Sequence, residues 1–343
     1  MKTVIAGMGL SGFKTALEQR GEPGFRAAQV FAWVYKQGAL DFTLMTNLPA
    51  ALRARLEREF VVTDVSQRQA QGSRDGTRKF LLSLADGNLV EAVAIPTEKR
   101  LTGCISSQAG CKYACGFCAS GKAGFKRDLS CAEIIGEVLH LRSALPDKEL
   151  SHIVFMGTGE PLDNYDNVLA AARIINSPDA FGIGARRITL STCGLVPAIR
   201  RLAGEGMQIE LSVSLHAADD ATRSRIMPVN RKYPLAQLIA ACREYAAATR
   251  RQVTFEYILI EGINSDLQNA RRLSTIMRDF NSKVNIIPFN PIAGQSWRAP
   301  ESSRVRAFRD ELLKAGVPVT VRTPRGQDID AACGQLRLRH EKP

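Results

Sequence analysis

Histidine is scarce in this 343-residue chain: there are four, at positions 140, 152, 216 and 340, and none stands at metal-ligand spacing from another. A zinc site built on imidazole pairs is therefore excluded. Long hydrophobic runs are missing as well. No stretch of about 18 apolar residues occurs, so the sequence predicts no membrane span. The opening MKTVIAGMGLSGF lacks the apolar core and cleavage site of a secretory signal, and a cytoplasmic protein is expected. In that setting eight cysteines argue against a disulfide framework and for metal or thiol chemistry where they cluster. Acidic residues are the last shortage. The 34 Asp and Glu face 46 Lys and Arg, a net charge of +12. Such an excess fits a polyanionic partner, above all nucleic acid, but also fits a merely basic enzyme.

What is present is enough apolar material for one large domain and a smaller appendage, 45% of residues. Residues 1–60 read as helical. The segment 22–38 opens on Pro23 and closes on Gly38, with Phe25, Val30, Phe31 and Val34 on roughly one face, and 47–60 makes a second helix with a basic outer side. A turn-rich patch at 71–80 leads into strand-like runs over 79–96, broken at Asp86–Gly87 as a hairpin would be. From residue 100 onward, short apolar strands alternate with helices in six units, closing on a last strand at 317–322. That order predicts an α/β fold with a parallel barrel or part of one. Its chemistry belongs at the C-terminal ends of the strands.

The first such end carries GCKYACGFCA, with Cys111, Cys115 and Cys118 in nine residues. Thiolates bind zinc or iron–sulfur clusters. Structural zinc wants four ligands, and Cys131 could be a fourth, but it begins a predicted helix thirteen residues beyond Cys118. Three cysteines leave one iron of a [4Fe–4S] cube open to a small molecule. Further strand ends carry FMGTGEP (155–161), LSTCG (190–194), SLHA (214–217) and PFNP (288–291). FMGTGEP is wrong for a phosphate loop, because no Lys-Ser/Thr follows its glycines. Its glycines allow close backbone approach to a ligand, and Glu160 offers a carboxylate to an ammonium group.

The C-x-x-x-C-x-x-C spacing, with Phe117 before the last cysteine, resembles the radical S-adenosylmethionine (SAM) superfamily. The stretches 104–134, 155–168, 214–234 and GQDIDAACGQL (326–336) resemble, more narrowly, the RlmN/Cfr family of RNA methyltransferases, over nearly the whole chain. The resemblance implies a partial (β/α)6 radical SAM barrel with a small helical N-terminal domain. It divides the chain into an N-terminal RNA-binding domain at 1–75, a linking β-hairpin at 76–100, the barrel at 101–323 and a C-terminal segment at 324–343. It implies one [4Fe–4S] cluster on Cys111, Cys115 and Cys118, with SAM held by Gly159, Glu160, Ser191, Ser214, Leu215, His216 and Asn290. For His216 a satisfied core imidazole is the competing reading.

The same resemblance implies a reaction. Carbon 2 of adenine has no nucleophilic electron pair, so a methyl group first passes from one SAM to Cys333. A second SAM supplies the radical that activates it. Cys104 then resolves the protein–RNA link by forming a disulfide with Cys333, and Glu91 accepts the ring proton. The implied substrates are 23S rRNA and tRNA, and the implied electron donor is of the flavodoxin or ferredoxin type. A monomer is the default. Pro161, after Glu160, favours methylation at C2 over the C8 chemistry of the Cfr branch. A different class, a zinc-stabilised RNA-binding protein without catalysis, is the remaining alternative. Cys131, Cys193 and Cys242 are read as buried structural cysteines.

Overall fold

The computed structural model describes residues 2–122, 124–145, 147–278, 280–291, 295–322, 325, 326, 328 and 329. The chain begins with a two-residue strand, β1 (Thr3–Val4), and helices α1 (Leu10–Glu18), α2 (Phe25–Phe31) and α3 (Ala50–Glu59). It then returns as β2 (Phe60–Val61), which pairs in parallel with β1. The helical reading of residues 1–60 therefore missed a strand at each end, both too short to show a period. Phe13 holds this unit together, with ring centroids 5.6 Å from Phe31 and 5.4 Å from Phe60. Val30, Phe31 and Val34 are buried as expected, but Phe25 is 60% exposed. Five residues before Val30 it falls off the inward stripe, and Arg26 stacks on its ring instead.

A ten-stranded sheet forms the rest. Its N-terminal strands are β3 (Ser66–Gly72), β4 (Arg78–Ser83), β5 (Leu89–Pro96) and β6 (Leu101–Cys104). A small antiparallel pair, β7 (Gln108–Gly110) and β8 (Phe125–Asp128), follows, with the short helix α4 (Ala119–Lys122) between them. Helix α5 (Cys131–Ala144) opens on a capping box between Ser130 and Glu133 and leads to β9 (Leu150–Phe155). Then come α6 (Tyr165–Asn176), β10 (Ile188–Thr192), α7 (Val196–Ala203), β11 (Glu210–Ser214), α8 (Asp220–Ile226) and α9 (Leu235–Thr249). The last elements are β12 (Val253–Leu259), α10 (Leu267–Met277), β13 (Ser282–Pro288), α11 (Ser302–Lys314) and β14 (Val319–Val321).

The strand order is β14-β13-β12-β11-β10-β9-β6-β5-β4-β3. From β14 to β6 every neighbour is parallel, and from β6 to β3 every neighbour is antiparallel. The sheet is open, with β14 and β3 at its edges. The alternation of strands and helices thus gave the parallel part correctly. Residues 66–72 are a correction. They lie inside the expected helical domain and partly in the turn-rich patch, yet they form the edge strand β3. Its composition, SQRQAQG, is that of a solvated edge, with no apolar alternation to mark it.

Register divides the sheet into two faces. Gly103 has no room for a side chain: a Cβ there would lie 2.9 Å from Leu141 of α5 and 3.0 Å from Ile153. Its face is the one the helices cover. Cys104, next along β6, therefore faces the other way.

Candidate active site

The face turned away from α5 can be followed strand by strand. Lys79 stands opposite Val93, and Val93 opposite Cys104; Leu81 stands opposite Glu91. Residues opposite one another share a face, as do residues two apart on one strand. Lys79, Glu91 and Cys104 therefore share the face turned away from α5. Lys79 Nζ lies 2.8 Å from Glu91 Oε2, diagonally across β4 and β5, and their side chains are 0% and 3% exposed. An ion pair this deep is stable only while both charges remain, since either alone would be stranded in a poor solvent.

The same face continues across the parallel strands as a polar row. Thr189 stands opposite Glu210 and Ser191 opposite Ser212, while Ser214 stands opposite Glu256, which is opposite Asn285, itself opposite Thr320. Asn285 donates to Glu256 at 2.8 Å, and Thr320 donates to Asn285 at 2.9 Å. Burial raises the pKa of Glu256. Ser191 and Ser214, named from the sequence, belong to this row. Glu256, Asn285 and Thr320 were missed; the signal was a polar residue at every second position of otherwise apolar strands.

Beyond β6 the chain crosses beneath the FMGTGEP loop. Gly157 and Gly159 do allow close approach, but to the chain itself. A Cβ on Gly157 would lie 2.7 Å from Ile105 O, and one on Gly159 2.6 Å from Gln108 Cβ. Gly159 also has φ +104°, outside the comfortable range of other residues. Ser106 ties three parts together. Its Oγ donates to Glu91 O at 2.9 Å and accepts from Thr158 N–H at 3.0 Å, while its N–H donates to Glu137 Oε2 at 3.0 Å. Burial raises the Glu137 pKa well above the carboxylate range, and its Oε1 has no partner among the described residues.

Glu160 is buried, and both its oxygens accept backbone N–H groups: Leu162 at 3.0 Å and Cys193 at 2.7 Å. The carboxylate thus stitches the β9 loop to the end of β10. Burial raises its pKa, and those hydrogen bonds oppose the rise.

The three cysteines lie on the segment between β7 and β8, which hydrogen bonds pin. Gly116 N–H donates to Ile226 O at 2.9 Å, Gln295 donates to Gly116 O at 2.9 Å, and Cys118 N–H to Cys115 O at 3.0 Å. Burial pushes the Cys111 thiol up to about 12 and raises Cys115 well above its ordinary value; the other cysteines add to both shifts. Three half-buried soft sulfur donors on one short segment fit an iron–sulfur cluster in kind. Among the described residues, however, no three His, Cys, Asp or Glu side chains converge as a closed metal-ligand set. Cys193 is closer to this site than its structural reading implied, since the charges of Cys115 and Cys111 raise its pKa alongside burial and Glu160.

At the end of β11, Leu215 is fully buried and His216 takes a left-handed backbone, φ +58°. Asn264 holds that turn by donating to His216 O at 2.7 Å and Ile258 O at 2.6 Å. His216 Nδ1 accepts Ile258 N–H at 3.0 Å, which assigns the ring proton to Nε2. Burial lowers the pKa of His216 to about 3, and Arg223 adds to the fall. The ring meets Phe117 edge to face, centroids 4.5 Å apart, so the core-imidazole reading and a place beside the cysteines both hold. Arg223, unsuspected in RSRIMPVN, is fully buried. It donates to the carbonyls of Leu215 (3.0 Å), Cys193 (2.8 Å) and Ser214 (3.0 Å) and to Asn230 Oδ1 (2.9 Å). Asn290 is exposed just past β13. Cys333 lies outside the described residues, as does most of the segment 324–343.

Two family models match the chain: the radical SAM superfamily over residues 105–273, and the ribosomal RNA large subunit methyltransferase N-terminal domain over 4–62. A protein of Pelobacter propionicus, named dual-specificity RNA methyltransferase RlmN, is 44% identical, covering 98% of this chain and 96% of its own. One of Sorangium cellulosum with the same name is 43% identical, covering 96% and 94%. The crystal structure of a radical SAM methyltransferase from Sphaerobacter thermophilus superposes with a TM-score of 0.94 at 41% identity, over 97% of this chain and 98% of that one.

Proposed function

The chain belongs to the RlmN family of radical SAM RNA methyltransferases, and on that premise we propose that it methylates carbon 2 of adenosine in 23S rRNA and in tRNA. The observation that carries the reading is the common face of Lys79, Glu91 and Cys104, which runs directly into the segment bearing Cys111, Cys115 and Cys118. Those three cysteines would hold a [4Fe–4S] cluster. When bound, it supplies the electron that splits SAM, delivered by a donor of the flavodoxin or ferredoxin class. Gly159, Glu160, Ser191, Ser214, Leu215, His216 and Asn290 would surround SAM. The serines do so from the polar face, and Leu215 and His216 from a turn that Asn264 and Arg223 hold rigid.

The chain's own residues carry the transfer. The Cys333 sulfur attacks the methyl carbon of SAM; a sulfur–carbon bond forms as the sulfonium bond breaks, and the thiol proton leaves. A radical from a second SAM would take one hydrogen atom from the Cys333 S-methyl group, and the resulting methylene carbon bonds to carbon 2. The adduct gives up one electron, which the cluster would accept, and Glu91 takes the proton from carbon 2. Lys79 keeps that carboxylate oriented, and water is excluded around both. The Cys104 thiolate then attacks the Cys333 sulfur. The disulfide forms, the bond from sulfur to the transferred carbon breaks, and that carbon takes up a proton. A thiol reductant restores both cysteines. Phosphate contacts from the basic surface would bind RNA without sequence preference, and extrusion of one adenine would bring its ring to this face. The protein would act as a monomer.

Anaerobic turnover with methyl-labelled SAM, reductant and unmodified RNA, followed by nucleoside mass spectrometry, tests the proposal. Labelled 2-methyladenosine is the expected product. Labelled 8-methyladenosine would move the chemistry to the Cfr branch, and SAM cleavage with neither product would leave the RNA assignment wrong.

A further inference from the structure

The turn joining β3 to β4, residues 73–77, meets a segment some 250 positions later. Asp75 Oδ2 accepts the N–H of Gly326 at 3.0 Å, and Arg325 approaches the same oxygen at 4.0 Å. In return, Asp328 Oδ2 accepts the N–H of Arg74 at 3.0 Å, and its Oδ1 accepts the hydroxyl of Ser73. Each strand of chain thus offers one carboxylate to a backbone N–H of the other. The later segment is itself folded as a tight turn: Ile329 N–H donates to Gly326 O at 3.1 Å, and Gly326 has φ +63°. Asp75 also accepts Thr77 N–H at 2.9 Å, so its own turn is fixed in the presenting shape. These bonds hold both carboxyls below the usual range.

What stands on either side gives the contact meaning. Four residues after Asp75 comes Lys79, the partner of Glu91. Five residues after Asp328 comes Cys333. Five residues of extended chain span at most ~17 Å. Tying residue 328 to the turn therefore limits Cys333 to a short arc around one point.

We propose that Asp75 and Asp328 are positioning residues that form a reciprocal clasp, which anchors the chain five residues before Cys333 to the β3–β4 turn. The inference rests on the reading of Cys333 as methyl carrier. Charge-assisted bonds to backbone N–H groups suit the role, because they fix chain position without ordering two long side chains. Without the clasp that limit on chain length is lost, and the effective concentration of the Cys333 thiol at the SAM methyl group falls.

The experiment uses full-length protein carrying its cluster, as wild type, Asp75→Ala/Asp328→Ala and Asp75→Asn. One arm follows tryptic cutting of the Arg325–Gly326 bond by peptide mass. The other follows S-methylation of Cys333 on addition of SAM, with 5′-deoxyadenosine release as a control. In the double variant, cutting should speed up and S-methylation slow down, each about tenfold, or ~1.4 kcal/mol. The release of 5′-deoxyadenosine should hold, and Asp75→Asn, which keeps an acceptor oxygen, should recover most of the loss. Unchanged cutting would overturn the clasp. Faster cutting with undiminished S-methylation would overturn its role in delivery. A parallel fall in 5′-deoxyadenosine release would reduce the aspartates to general support and overturn positioning. If wild-type Cys333 takes no methyl group, the carrier reading fails, while the cutting arm still decides the clasp.

Discussion

The two ends of the sheet solve one electrostatic problem differently. On the antiparallel strands a buried carboxylate is neutralised by a buried ammonium, Glu91 by Lys79 at 2.8 Å. Past the C-terminal ends of the parallel strands, the buried Glu160 and Arg223 are met largely by main chain. Glu160 takes the N–H groups of Leu162 and Cys193, and Arg223 donates to the carbonyls of Cys193, Ser214 and Leu215. A side-chain ion pair depends on both partners, and substituting either one breaks it. Main-chain partners spread the stabilisation over several strand ends and lock the loops in place. The first arrangement holds a carboxylate ionised and oriented, and the second makes a rigid cradle at the strand ends.

The largest expected effect comes from removing the thiol proposed to serve both ends. Cys333→Ala should abolish methylated nucleoside while SAM cleavage continues, read by product and 5′-deoxyadenosine side by side. Persistent methylation would uncouple the two ends. Next is Lys79→Met, which takes the ammonium from beside the buried Glu91 carboxylate. It should cost about 3–5 kcal/mol in denaturant unfolding, and the double variant Lys79→Met/Glu91→Met should regain most of that. Failure of the double variant to recover would mean that the two partners do not depend on each other as described here.

Arg223→Met should cost less, about 2–3 kcal/mol, by leaving strand-end carbonyls without a donor. No single partner substitution should rescue it, because three of its four acceptors are main-chain carbonyls. The smallest effect is on pH. His216 is held near 3 when folded against about 6.5 unfolded. The unfolded chain therefore binds the extra proton first, and stability present above pH ~6.5 is lost as pH falls. Between about pH 7 and pH 5 the loss should be ~2 kcal/mol. His216→Gln should flatten that slope in unfolding curves recorded at both pH values.

Legibility from the sequence followed the same division. The parallel strands announced themselves, because apolar runs of five or six residues alternating with helices have few other solutions, and strand-end motifs then fell at one end of the sheet. The antiparallel end was harder. SQRQAQG has no apolar period, so β3 was invisible. Lys79 in RKFLLS was not singled out, and only register puts it diagonally across from Glu91. Arg223 and Asn264 escaped for another reason: they bond to main-chain groups brought together from several strand ends, which no local spacing records. In FMGTGEP the glycines were noticed, but their neighbour turned out to be the chain at 105–108.

The most direct test of the account is capture of the covalent link between protein and RNA. With Cys104→Ala, the Cys333 sulfur has no thiol to release it from the transferred carbon. Turnover should therefore accumulate a protein–RNA adduct, slow on a denaturing gel, whose peptide mapping places the RNA on Cys333. The same variant giving free methylated RNA and no adduct would contradict the two-thiol account.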